Sequence, residues 1–228
     1  KWKPKAISSH HIKLPLPEIP GMKLLPAFIL RHPIDRIGSV YAFEKKQKAN
    51  TKGAIKAKEM SFAEFIRWYM EDNSPATIRD FQTRWCSGNL NGGKPMNRKD
   101  YQDALKALEN NPLVGVVEFY DQSMVVFEET LAKYFSGIDL SYKKQNVNKR
   151  STMTIEERIY HIKQELGDDV VKLAMEKNQY DFLLYEQAKR ILNARVLDIL
   201  NFDQKMQDFK RRTAALQNGP LSVNNILS

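Results

Sequence analysis

The sharpest change of hydrophobic period in the chain falls between Leu24 and Tyr41. Leu24-Leu25-Pro26-Ala27-Phe28-Ile29-Leu30 is a short, continuous apolar run, the pattern of a strand buried on both faces, as in a parallel sheet. Arg31-His32-Pro33 stops it. Ile34, Ile37 and Tyr41 then recur at i, i+3 and i+7, which predicts a helix with Pro33 in its first turn, where a missing N–H does no harm. A second strand is predicted over Leu113 to Phe119, with Asp121 placed to cap a helix running to about Tyr134. Ser61-Phe62-Ala63-Glu64 and Thr154-Ile155-Glu156-Glu157 have capping-box spacing and open helices reaching about Met70 and Leu166. From Asp181 to about Arg212 a helical repeat is carried by Leu184, Ala188, Ile191, Leu192, Val196, Ile199 and Leu200.

The segments between are polar or broken. Ala6–Ser8 reads as the end of a short strand leading to His10-His11, and Pro15, Pro17 and Pro20 make the next stretch an extended connection. Six lysines between Lys45 and Lys58, with little apolar content, predict a mobile basic loop. Asn73-Ser74-Pro75 breaks a helix, Asn89 to Lys94 is a loop, and the tail from Gly219 is expected to fray. Strands alternating with helices predict an α/β fold: a short, mostly parallel sheet flanked by helices, with a helical C-terminal part. The expected organisation is one domain over residues 1–218 and a frayed tail over 219–228.

Composition narrows the partners. With 228 residues, 42% of them hydrophobic, the chain can bury a core sized for one domain. A net charge of +9 points to an anionic partner: nucleic acid, an acidic glycan, a phosphorylated nucleotide or a membrane surface. Cys86 is the single cysteine, so no intrachain disulfide can form, and no N-x-S/T sequon occurs. Both features favour a cytoplasmic location and leave the Golgi lumen open. No run approaches the roughly 20 apolar residues of a spanning helix, and no signal peptide opens the chain.

The chemistry concentrates at the junction of the first strand and its helix. Open α/β sheets bind ligands at the carboxyl ends of their strands, and Arg31 stands there, with Ser39 about two helical turns further on. A guanidinium and a hydroxyl converging on a helix N-terminus can hold a phosphate through charge-assisted bonds. The adjacent His10 and His11 would point to opposite faces of a strand and make a poor metal site. An imidazole with an ordinary pKa near ~6.5 does suit a general base. Cys86 reads as a small packed residue, and Glu118 as a salt-bridge partner, a cap or an alternative base.

Leu30-Arg31-His32-Pro33-Ile34-Asp35-Arg36-Ile37-Gly38-Ser39 resembles the L-R-x-P-x-x-R-x-x-S segment of sulfotransferases that use 3′-phosphoadenosine-5′-phosphosulfate (PAPS). The resemblance is nearest to the carbohydrate and heparan sulfate 2-O-sulfotransferase branch. Further segments follow in family order. Ile7-Ser8-Ser9-His10 resembles I-S-G-H, and Gln82-Thr83-Arg84-Trp85-Cys86-Ser87-Gly88 resembles Q-T-R-x-L-S-G. Val114-Gly115-Val116-Val117-Glu118 resembles V-G-V-T-E, and Asp181 through Ala188 resembles D-x-x-L-Y-x-x-A. Ser9, Cys86 and Val117 depart from the pattern, the last removing a threonine hydroxyl.

The resemblance implies a P-loop nucleotide-binding type of α/β fold and transfer of a sulfuryl group from PAPS to a hydroxyl or amine, releasing 3′-phosphoadenosine 5′-phosphate. The acceptor implied is a carbohydrate or an acidic small molecule, and no metal is called for. By the same match Arg31 and Ser39 bind the 3′-phosphate, and Arg36 is structural or a secondary contact. Lys149, Arg150 and Ser151 belong to a basic loop closing over the nucleotide. His10, or His11 after a one-residue shift, is the base. The family's Lys- and Gly-containing 5′-phosphosulfate loop has no counterpart before Lys5, so a domain lacking its N-terminal P-loop segment is expected. A kinase-like phosphotransferase on the same architecture and a non-enzymatic binder of polyanions are the alternatives. Nucleic acid is disfavoured because the Lys45–Lys58 stretch contains no aromatic residue.

Overall fold

The computed structural model describes residues 14–90, 94–143 and 153–218. These residues are mostly helical, with one small parallel sheet, and so broadly α/β. Strand β1 (Phe28–Leu30) is followed by helices α1 (Pro33–Lys46), α2 (Lys52–Glu59), α3 (Phe62–Met70), α4 (Phe81–Ser87) and α5 (Arg98–Glu109). Strand β2 (Val114–Val116) then precedes α6 (Tyr120–Leu131), α7 (Ile155–Leu166), α8 (Asp168–Glu176), α9 (Gln179–Asp198) and α10 (Phe202–Asn218). The strands pair in parallel with Phe28, Ile29 and Leu30 opposite Val114, Gly115 and Val116.

Both strands are shorter than their apolar runs suggested, for local reasons. Pro26 has no N–H to give a ladder, and its carbonyl accepts the Asn111 side-chain amide at 2.6 Å. Phe28 is therefore the first residue to bond across, through its N–H to the Leu113 carbonyl at 2.9 Å. At the far end Val116 donates its N–H to Ser123 Oγ, at 2.9 Å, and the chain winds into a 3₁₀ turn over Val117–Phe119. Gly115 permits this approach, since a Cβ there would come within 2.7 Å of Ser123 Cβ. A side chain likewise closes the other edge. Gln82 receives the Arg31 N–H at 2.8 Å and donates its amide to the Arg31 carbonyl at 2.9 Å. Side-chain amide and hydroxyl groups thus stand where further strands would supply partners.

The helices correct several expectations. Lys45–Lys58 is not a loop. Lys45 and Lys46 end α1, and Lys52, Lys56 and Lys58 lie on α2, whose N-terminus is capped by the Thr51 hydroxyl. Gly53, Ala54 and Ala57 bury the inner face of α2, an apolar signal too small to register beside the lysines. The repeat from Asp181 to Arg212 is two helices, α9 and α10, broken at Asn201, which takes a left-handed φ of 56°. Asp121 lies inside the first turn of α6 and accepts the Tyr142 hydroxyl instead of capping. The capping boxes at Ser61 and Thr154 are both formed. Among the described residues only two strands occur, with five α-helices in the crossover between them.

Two apolar cores result. One gathers Leu30, Val114 and Val116 with α6, α9 and Phe209 of α10. The other gathers Ile34 and Ile37 of α1 with α3, α7 and α8. Leu30 belongs to the first and Ile34 to the second, so Arg31-His32-Pro33 crosses the seam between them. Burial on both sides fixes that turn.

Candidate functional site

At the seam Arg31 is held both at its backbone and at its side chain. Its backbone is clamped by Gln82, and its Nε donates to Asp35 Oδ2 at 2.5 Å, one helical turn along. Asp35 is 2% exposed and also receives Nε of Arg158, from α7, at 2.9 Å on its other oxygen. Arg158 reaches in addition to the Met153 carbonyl at 2.9 Å. One buried carboxylate therefore fixes two guanidiniums, and these keep its pKa below the ordinary value against the opposing effect of burial. Among the described residues neither terminal nitrogen of Arg31 has a protein acceptor. Those two donors remain for a ligand.

Helix α1 turns one face to the second core, through Ile34 and Ile37, with Tyr41 packed against it. Its neighbouring face carries Arg36, Ser39, Val40 and Phe43, at i, i+3, i+4 and i+7, onto the wall of a cavity of about 530 Å³. Arg31, at the carboxyl end of β1, lines the same cavity, as do Phe81, Gln82, Trp85 and Cys86 of α4. The structure brings Arg31 and Ser39 to one concavity. Arg36 is fastened: it donates to the Thr77 carbonyl at 2.8 Å and lies 4.0 Å from the centre of the Phe81 ring. Burial lowers its pKa to about 10, so it stays charged at neutral pH.

The start of α4 is set by an exchange of caps with α9. Asp80 receives the N–H groups of Tyr180 and Asp181, each at 2.9 Å. Asp181 in turn receives those of Gln82 at 3.0 Å and Thr83 at 2.7 Å, with the Thr83 hydroxyl at 2.8 Å. Asp80 adopts φ 43° to make the exchange, a left-handed conformation that aspartate tolerates better than most residues. This network sets the height of Gln82, and so of Arg31.

His32 and Glu118 serve the frame. His32 Nδ1 accepts the Ile34 N–H and caps α1, and its ring stands edge-on to Phe182 and Tyr185. Burial lowers its pKa to about 4. Glu118 receives the His32 N–H at 2.9 Å, tying the end of β2 to the start of α1, and does not line the cavity. Cys86 is buried and its thiol is pushed above the ordinary range by desolvation, as a packed residue requires.

His10, His11, Lys149, Arg150 and Ser151 lie outside the described residues, as do Ala6–Ser8 and the tail from Gly219. Periodicity and motif spacing do not mark Asp35 and Gln82 as the supports of Arg31. The i, i+4 spacing of Arg31 and Asp35 was the available signal, whereas Arg158 is brought in from α7 with nothing in the sequence to mark it. Among the described residues no group of three or more His, Cys, Asp and Glu side chains is placed to hold a metal ion. No helix among them is long and apolar enough to cross a membrane.

An uncharacterized protein of Archaeoglobus fulgidus shares 34% identity with this chain over 187 residues, which is 80% of this chain and 73% of that protein. The chain belongs to that protein's family. No family model matches the chain, and no solved structure matches it.

Proposed function

We propose that this protein is a sulfotransferase of the P-loop type that takes a sulfuryl group from PAPS, with the 3′-phosphate of the nucleotide held by Arg31 and Ser39. The observation that carries this reading is the presence of both side chains on one cavity wall at the carboxyl end of β1, with Arg31 oriented by Asp35 and Gln82. The residues fit a nucleotide. A volume of about 530 Å³ lies within the roughly 300–1,000 Å³ usual for small-molecule sites. Phe81, Trp85 and Phe43 give it apolar walls, and Arg31 and Ser39 give it phosphate donors.

In this reading the acceptor oxygen or nitrogen forms a bond to sulfur as the bond from sulfur to the 5′-phosphate oxygen breaks. 3′-Phosphoadenosine 5′-phosphate leaves, and the acceptor's proton passes to a base, His10 or His11. By analogy with phosphoryl transfer the transition state is loose, so the protein's main tasks are alignment and charge stabilisation. Arg31 and Ser39 anchor the end of the nucleotide remote from the reacting sulfur. Lys149, Arg150 and Ser151 close the site from the segment before Met153, whose carbonyl is tied by Arg158 to the carboxylate that orients Arg31. The acceptor is a carbohydrate or an acidic small molecule.

Calorimetry of the full chain with 3′-phosphoadenosine 5′-phosphate, adenosine 5′-phosphate and ATP tests the reading. The 3′-phosphorylated nucleotide binds best, and Arg31→Ala weakens it ~10- to 100-fold, the range for a charged hydrogen bond. Preferential ATP binding, insensitive to Arg31, overturns the proposal in favour of a phosphotransferase.

A further inference from the structure

Arg158 reaches the strand-to-helix turn from α7, a helix fixed at both ends. The Thr154 capping box sets its first turn, and Ile162 and Leu166 bury its later turns in the second core. All three guanidinium nitrogens of Arg158 are spent inside the protein. Nε donates to Asp35 Oδ1 at 2.9 Å, Nη2 to Asp35 Oδ2 at 3.5 Å, and Nη1 to the Met153 carbonyl at 2.9 Å. Neither Arg158 nor Asp35 lines the cavity.

Arg31 spends its guanidinium differently. Its Nε alone bonds Asp35, on Oδ2 at 2.5 Å. A carboxylate facing a guanidinium favours two parallel bonds, one to each oxygen, and the second oxygen of Asp35 is already taken by Arg158. Asp35 is 2% exposed, so without Arg158 its Oδ1 would have almost no water to turn to. A terminal nitrogen of Arg31 would then be drawn in to satisfy it. Two guanidiniums also share one carboxylate, so the cluster keeps a net positive charge that Arg31 and Asp35 alone would lack.

We propose that Arg158 is a positioning residue for the phosphate contact: by occupying Asp35 Oδ1 it confines that carboxylate to Nε of Arg31 and leaves both terminal nitrogens for the ligand. The inference rests on the reading of Arg31 as a ligand of the 3′-phosphate. It adds that the selectivity of the cavity is set in part from α7, by a side chain that never enters it.

Two measurements on the full chain test this. Calorimetry with 3′-phosphoadenosine 5′-phosphate and adenosine 5′-phosphate should show that Arg158→Met cuts the preference for the former about tenfold, the scale of a lost supporting contact, and leaves the weaker ligand unaffected. Arg158→Lys, which keeps a cation near Oδ1 without the rigid fork, should restore most of that preference. In the Arg31→Ala background neither change should have any further effect. A crystal structure of the Arg158→Met chain should show Asp35 bonded to a terminal nitrogen of Arg31. Circular dichroism checks folding, and if Arg158→Met does not fold, Arg158→Gln, which keeps a donor and loses the charge, is read by the same two measurements. A folded variant that retains the full preference, or whose Asp35 stays on Nε with both terminal nitrogens open, overturns the proposal. A wild-type chain with no preference contradicts the 3′-phosphate reading instead, and the crystal structure then decides the role of Arg158 by itself.

Discussion

The two cavities that flank α4 use arginine in opposite ways. In the first, Asp35 neutralises Arg31 at one nitrogen, Arg158 supports that carboxylate, and Gln82 holds the backbone, so two donors are left aimed by the frame. In the second, of about 190 Å³, the lining Arg79 bonds Asp72 and the Ser74 carbonyl and Arg84 bonds the Lys94 carbonyl, so both serve the frame. Burial alone therefore does not make an arginine useful. What separates a presented donor from a structural one is a counter-charge on Nε that leaves the terminal nitrogens for the cavity, whereas Arg79 spends its terminal nitrogens on Asp72 and Ser74.

The largest effect that would sharpen this contrast comes from Asp35. Asp35→Asn leaves Arg31 and Arg158 without their shared charge. Breaking a buried pair costs about 3–5 kcal/mol, and the partial exposure of both guanidiniums puts the expected loss near ~3 kcal/mol, read by chemical denaturation. An unchanged midpoint would show that the two arginines need no counter-ion.

Gln82→Leu comes next. It keeps the volume and removes both bonds to the Arg31 backbone, so it should cut the preference for 3′-phosphoadenosine 5′-phosphate over adenosine 5′-phosphate by ~10-fold while sparing the weaker ligand. In the Arg31→Ala background the same change should cost almost nothing, because Gln82 acts through Arg31. Additive losses would make Gln82 a direct ligand contact.

Asp80 gives a pH-dependent test. Burial and the nearby Asp181 raise its pKa from 3.8 to about 7. Between those values the unfolded chain has lost a proton that the folded chain keeps, so stability falls as pH rises through this window. Asp80→Asn keeps the acceptor oxygen, tolerates the left-handed backbone and cannot ionise. It should raise the melting temperature at pH 8 and change it little at pH 4. His32 supplies the smallest effect, with the opposite sign. Its folded pKa of about 4 lies below the ordinary 6.5, so stability falls as pH drops through that range. His32→Asn, which can still cap α1, should flatten the acid limb of the stability profile.

The contrast also explains what the sequence could reveal. The strand-to-helix turn at Arg31 was legible because a period change, a proline at the first helical turn and a continuous apolar run all point the same way. The caps at Ser61 and Thr154 were legible because the motif is local. Helix α2 was not: its buried face is Gly53, Ala54 and Ala57, and six lysines nearby outweigh three small side chains. Nor was the support of Arg31, since Gln82 and Arg158 reach it across 51 and 123 residues to Arg31 and Asp35. The second cavity had no local signature, because its cations come from the turn before α4, the last turn of α4, the stretch before α5 and the end of α8.

The most direct test is a crystal structure of the full chain with 3′-phosphoadenosine 5′-phosphate bound. The terminal nitrogens of Arg31 and the hydroxyl of Ser39 should lie within hydrogen-bonding distance of the 3′-phosphate, with Asp35 still on Nε of Arg31. A nucleotide seated elsewhere, or in this cavity with its 3′-phosphate turned from both side chains, would contradict the account.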